Sequence, residues 1–152
     1  MLLISETPIL TIRAELAGII KAGTTPYGER RIIHILGGTV EGPKFKGRIL
    51  PGGADWQIIR TDGVADVRAH YAIESDTGGH VLVTNEGMRH GPPEVMARLA
   101  RDEAVDPSLY YFRTAIRFET ADPKAAWLNR ILGVCRGVRE PRAVRLDVYE
   151  VL

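Results

Sequence analysis

Moving a proton on an organic substrate requires a carboxylate or imidazole beside the reacting carbon and a cation or donor that takes up the charge that forms. Two groupings in this sequence have residue types that fit. The first is Asp55 with His70. They flank "TDGV" at 61 to 64, and Asp-Gly is the favoured centre of a two-residue type I′ hairpin. With Asp62 and Gly63 as the turn, Thr61 faces Val64, Ile58 faces Val67, Trp56 faces Ala69 and Asp55 faces His70. A carboxylate opposite an imidazole favours imidazolium and gives an acid/base couple, although the same pair on an outer face would be only a surface contact.

The second grouping follows from the same register. One face of the hairpin carries Trp56, Ile58, Arg60, Val67, Ala69, Tyr71 and Ile73, and is the expected interior. The following connection, "SDTGG", is read as a loop of two or four residues, which sets Leu82, Thr84 and Glu86 on the face of Tyr71. A lumen lined by Trp56, Arg60, Tyr71 and Glu86, with Arg89 as a further member, would supply aromatic walls and a partly desolvated glutamate able to serve as general acid or base. The alternative is a salt bridge plugging a filled interior. Arg113 in "YYFRT" offers a planar fork for a substrate carboxylate, and equally fits a subunit interface or a pair with Glu119. Trp127 in "AAWLN" is expected on a helix packed over the end of the fold, where it could touch a ligand.

These side chains need a frame, and the pattern around them is one of strands. Apolar and polar residues alternate over short runs bounded by Gly, Pro, Asp and Asn. Strands are expected at 8–16, 31–37, 46–50, 55–61, 64–74, 80–86, 109–119, 129–137 and 143–151. Only "PPEVMARLARDEA" and "DPKAAWLNR" read as helix, each with proline early and an apolar stripe or an Asp cap. Many strands and few helices favour an all-β fold, a closed or nearly closed antiparallel barrel of eight to nine strands, because closure removes exposed edges. At 152 residues a single domain over 1–152 is expected. In "GGTVEGPKFKGRILPGGADW" the glycines 37, 38, 42, 47, 52 and 53 read as bends, with "GPK" and "LPGG" as turns.

Composition narrows the function classes. Lys and Arg number 20 against 19 Asp and Glu, with no long run of one sign, which argues against nucleic acid or a membrane surface as partner. The N-terminus meets Glu6 and Pro8 before a signal-peptide core forms, so a cytoplasmic location is expected. Cys135, the one cysteine, reads as a buried small hydrophobe. His34, His70, His80 and His90 lack metal-ligand spacing, and no phosphate-loop, dinucleotide or serine-hydrolase motif is present, so neither metal nor cofactor is expected.

The motifs "GGTVEGP", "GRILPGGADW", "RTDGVADVRAHY", "NEGMRHG", "YYFRTAIRFET", "AAWLNRILGV" and "LDVYEV" resemble the DUF3237 proteins, also called UPF0311, a bacterial and fungal group without an assigned activity. The positions that match are Asp55, Trp56, Asp62, Gly63, Tyr71, Gly87, Arg89, Phe112, Arg113 and Trp127; Arg68 departs, since the resemblance would put an acid there. The resemblance implies a β-barrel with small helices between strands that forms an oligomer. At the level of fold it suggests kinship with allene oxide cyclase and dirigent barrels, which bind small apolar molecules inside. The combined expectation is a small-molecule-binding homo-oligomeric barrel performing a cofactor-free isomerisation, cyclisation or lyase step on a partly apolar organic acid. Glu86, Asp55 or His70 would move protons, and Trp56, Arg60, Tyr71, Arg89, Arg113 and Trp127 would hold ligand. A non-catalytic carrier and a structural homo-oligomer are the alternatives.

Overall fold

The computed structural model describes residues 1–152. Ten strands run β1 Leu10–Leu16, β2 Ile20–Thr25, β3 Gly28–Glu41, β4 Lys46–Ile49, β5 Gly53–Ile59, β6 Ala65–Ser75, β7 His80–His90, β8 Tyr111–Thr120, β9 Gly133–Glu140 and β10 Ala143–Glu150. All pairings are antiparallel. From β1 the sheet passes through β10, β9, β8, β7 and β6 to β4 and β5, then to β3, which pairs with β1 again and closes the barrel. Strands β4 and β5 share one place between β3 and β6, so eight positions make the wall, and β2 extends from β3 alone.

Alternation sends every second residue inward. Leu10, Ile12, Ala14 and Leu16 of β1, Val67, Ala69, Tyr71 and Ile73 of β6, and Phe112, Thr114, Ile116 and Phe118 of β8 are all buried. The two ends are covered differently. At the end where β7 finishes, the helix α1 (Pro93–Ala100) begins on a proline and sets Val95 and Leu99 against Val67, Val105, Tyr110 and Phe112. At the end where β8 finishes, a 3₁₀ helix (Pro123–Arg130) starts from Asp122, whose carboxylate accepts from the Lys124 N–H. It buries Ala125 and Leu128 in the main core. No helix is long and apolar enough to cross a membrane.

Two features differ from the sequence expectation in ways that matter for the site. The hairpin at 61 to 64 is not a two-residue turn. The Arg60 N–H donates to the Val64 carbonyl and the Gly63 N–H to the Arg60 carbonyl, with Gly63 at φ 87°. Thr61, Asp62 and Gly63 thus form a three-residue loop with glycine in the left-handed position, and Asp55 pairs with Ala69 rather than His70. The connection at 76 to 78 repeats the device, with Gly78 at φ 92° and its N–H donated to the Ser75 carbonyl. Each odd loop moves the partner strand by one residue relative to an even one, and one residue exchanges the faces. On β5, Asp55 and Gln57 point inward while Trp56 and Arg60 point out. On β7, Asn85 and Arg89 point inward while Glu86 points out.

The glycine-rich segment likewise does less turning than its composition suggests. "GPK" closes the β3–β4 hairpin, but "LPGG" does not reverse the chain, since β4 and β5 run the same way past both neighbours. It is a bulge that hands one barrel position from one strand to the next. Gly38 sits at φ 140°, beside the point where the β1–β3 register shifts past Leu36, and a Cβ there would overlap the Arg13 carbonyl oxygen. Gly38→Ala is expected to cost roughly 3–5 kcal/mol, the sum of backbone strain and overlap, measurable as loss of stability in urea. The tenth strand, β2, has no sequence signal because all of "IKAGTT" lies outside the barrel and carries no alternation.

Candidate active site

The interior is mostly apolar, and its polar side chains concentrate toward the α1 end. Near the α1 end, a cavity of about 50 Å³ is bounded by Leu16, Ile33, Ile35, Val67, Ala69, Phe112 and Leu146, and into it project Asp55, Gln57, Tyr71, Asn85, Arg89 and Arg139. Ladder pairing explains the convergence: Ile33, Asp55, Ala69, Asn85 and Ile116 are successive cross-strand partners through β3, β5, β6, β7 and β8. Arg31 lies opposite Gln57, one inward step nearer the α1 end.

Asp55 is held on both oxygens. Its Oδ1 accepts the Arg68 backbone N–H at 2.9 Å and its Oδ2 accepts the Gln57 Nε2–H at 3.0 Å. Burial outweighs these hydrogen bonds and the nearby charge of Arg89, and pushes the carboxyl above its ordinary value. Gln57, 1% exposed, has its Oε1 sealed from water with no donor, so its amide is committed to Asp55 on one side and unsatisfied on the other. Tyr71 OH and Asn85 Oδ1 are in the same state, and burial pushes the Tyr71 phenol upward.

Arg89 is the outlier. It is 8% exposed, its guanidinium lies 5.4 Å from the Phe112 ring, and no carboxylate comes within 4.0 Å of it. Its Nε is buried without an acceptor. Desolvation first, then the neighbouring Arg139, lower its pKa to about 10, so it stays charged at neutral pH. Arg139, by contrast, is satisfied: it donates to the Glu140 and Ala143 carbonyls and to Asp102 at 3.3 Å. Space for Phe112 comes from Gly137, whose missing Cβ the ring occupies.

The other residues proposed from the sequence lie elsewhere. Trp56 is 49% exposed on the outer wall, and Arg60, also outside, pairs with Asp62. His70 points outward to Thr84, its Nδ1 3.5 Å from the hydroxyl, and does not meet Asp55. Glu86 is exposed beside Met88, Arg113 and Arg136 in an outer groove. Arg113 donates to the Phe112 carbonyl and lies over Tyr111, with no carboxylate partner, Glu119 included. Trp127 packs at the far end under the Lys44 ammonium, 5.3 Å from its ring. Burial pushes the Cys135 thiol up to about 12, which removes it as a nucleophile. No three His, Cys, Asp or Glu side chains gather as a metal ion would need. The sequence reading missed Gln57, Asn85, Arg139 and Arg31. For Gln57 and Asn85 the signal is the glycine that ends both loops, which suits a three-residue turn.

Comparison with known proteins places this chain in a wider group. A family model described as a protein of unknown function, DUF3237, matches residues 5–151. A UPF0311 protein of Rhodopseudomonas palustris is 45% identical over 144 residues, 95% of this chain and 94% of its own. Its crystal structure superposes with a TM-score of 0.92, covering 100% of this chain and 99% of that one. A β-barrel-like protein from Acinetobacter baumannii gives 0.83 at 41% identity, covering 97% and 95%. More distantly, a hydroalkoxylation enzyme of Penicillium herquei is 28% identical over 97 residues, 64% of this chain and 50% of that protein. The crystal structure of an enzyme from Penicillium herquei shares the fold at a TM-score of 0.65 and 21% identity, covering 97% of each chain.

Proposed function

The chain belongs to the DUF3237 family, and from the interior it builds we propose that the barrel binds a small, partly apolar organic molecule and moves a proton on it without a cofactor, as an isomerase, cyclase or lyase does. One observation carries this: four polar side chains, Gln57, Tyr71, Asn85 and Arg89, present buried unsatisfied atoms around a cavity beside Asp55. Buried polar groups are almost always paired, and a cluster that is not points to a ligand or ordered water that completes it. A filled structural barrel would be expected to replace them with hydrocarbon.

The chemistry follows from the two charged members. Asp55, as carboxylate, takes a proton from a C–H adjacent to a carbonyl. The electron pair moves onto the carbonyl oxygen, and the negative charge that forms there is stabilised by Arg89. Asp55 then returns the proton to a different carbon or to a departing oxygen. No electron is gained or lost overall, so no redox partner is needed. The upward shift of the Asp55 carboxyl makes its carboxylate a stronger base than an ordinary aspartate, which favours proton abstraction. The name of the Penicillium herquei relative supports the class, since adding an O–H across a double bond is also redox-neutral and also turns on proton delivery.

The test uses solvent deuterium. Incubated in D₂O with a panel of 1,3-dicarbonyl and β,γ-unsaturated carbonyl compounds, the protein should catalyse exchange at carbon in at least one of them, read by NMR. Asp55→Asn should slow that exchange by about 10²–10⁴-fold, the usual worth of a positioned general base. A compound that stabilises the fold but shows no exchange would mark a carrier.

A further inference from the structure

At the α1 end the cavity adjoins a second space that shares part of its wall. A second chamber of about 190 Å³ lies between the barrel rim and the helix, walled by Ile19, Ile59, Met96 and Leu99, and it shares Ile33, Arg89 and Arg139 with the cavity. Arg31 faces this outer chamber. The neck between the two spaces therefore carries two guanidinium groups, Arg89 and Arg139, with Arg31 on the wall of the outer chamber.

Their charges are unequally answered. Arg139 has Asp102 at 3.3 Å and Arg31 has Glu29 at 3.7 Å, but Arg89 has no carboxylate in contact. Nε–H groups of both Arg31 and Arg89 are buried with no acceptor. Two Nε–H donors of residues lining one chamber thus lack a protein acceptor at hydrogen-bond distance, and the charge of Arg89 is answered by Asp55 without contact. Volume adds a second constraint. Small-molecule sites usually enclose about 300–1,000 Å³, and the inner cavity is far below that, so a ligand reaches Asp55 only by leaving most of its body in the outer chamber.

We propose that the neck is the carboxylate site of the substrate: a small organic monocarboxylate whose anion lies on Arg31 and Arg89, with its apolar body against Ile59, Met96 and Leu99 and its reacting carbon directed at Asp55. This rests on the reading of the cavity as a proton-transfer site, and it adds the substrate class and the direction from which it arrives. Planar guanidinium forks match a carboxylate better than a lone point charge does.

Benzoate, benzamide and inorganic phosphate are the probes, read by thermal shift and titration calorimetry on the full chain. Benzoate should raise the melting temperature in a concentration-dependent way, while benzamide, of the same shape without the charge, and phosphate should do much less. Arg31→Gln should weaken benzoate about 10-fold or more, Arg31→Lys should recover part of the loss, and Arg117→Gln on the outer wall should change nothing. Equal effects of benzoate and benzamide, equal effects of phosphate, no benzoate effect, or full benzoate affinity in Arg31→Gln would each overturn the assignment. Benzoate binding with Asp55-independent deuterium exchange would leave the anion site standing and remove the proton-transfer reading. Exchange lost in Asp55→Asn with no preference for carboxylate would do the reverse.

Discussion

Arg89→Met is expected to make the protein more stable while abolishing its response to small carboxylates. A guanidinium taken out of water costs several kcal/mol unless an anion and hydrogen-bond acceptors answer it, and Arg89 has neither in contact, only the face of Phe112 at 5.4 Å and the charge of Asp55 further off. Methionine keeps most of the stem, fills the same space beside the ring and brings no charge, so about 2 kcal/mol should return to the fold, roughly 4–8 °C in melting temperature. The opposite sign has an equally definite meaning. Were Arg89 a structural ion, its removal would cost about 3–5 kcal/mol, as breaking a buried pair does. Scanning calorimetry of the two proteins with and without benzoate separates these cases. Stabilisation together with lost ligand response is the mark of a residue kept for function at the expense of the fold.

The architecture was open to a reading of the sequence because it is written in alternation. The runs that became β1, β6, β8 and β10 are legible as strands from their short-range alternation, and for β6 the alternation also gives the buried face. The inner phase of β6, with Val67, Ala69, Tyr71 and Ile73, is correct without any knowledge of its partners. The site depended on something alternation does not carry, namely how many residues each loop spends. "RTDGV" and "SDTGG" accommodate two, three or four loop residues with little change in local preference, yet the parity of that number decides whether Asp55 or Trp56, and Asn85 or Glu86, faces the cavity. Within β5 the sequence "GADWQII" gives no vote of its own, because Ile58 is buried on the outer face and Gln57 on the inner. A buried glutamine is the least expected occupant of a core position, and it is there to hold Asp55. Thus Asp55, Tyr71 and Arg89 are candidates in the sequence and line the cavity in the structure, while the company they keep differs. Asp55 was given His70 and received Gln57; Tyr71 was given Glu86 and received Asn85.

That exchange of partners governs what Asp55→Asn should do to stability. In the native protein Gln57 donates to Oδ2, which leaves its own Oε1 without a donor. Asparagine at 55 would keep the Arg68 N–H on its oxygen and turn its amide toward Gln57, and a flip of the Gln57 amide would then present the orphaned oxygen to the new donor. The flip leaves the Gln57 Nε2 without an acceptor in place of its Oε1, so the gain is the removal of a buried charge, and the variant should melt about 3 °C higher than the wild type at pH 7, in line with the ~1 kcal/mol typical of replacing a strained functional group. The pH dependence follows from the direction of the carboxyl shift. Because burial raises the Asp55 pKa in the folded protein above its ordinary value of 3.8, the folded state holds a proton in a range where the unfolded chain has lost it. Wild-type stability from this group is therefore fully present below that ordinary value and declines as pH rises toward the folded pKa. The gap between variant and wild type should be smallest in acid, widen through this window and level off above it. A gap that instead narrowed with rising pH would mean that Asp55 is stabilised as a carboxylate, by Arg89 and its two hydrogen bonds, and that its part in the reaction is to hold charge rather than to exchange a proton.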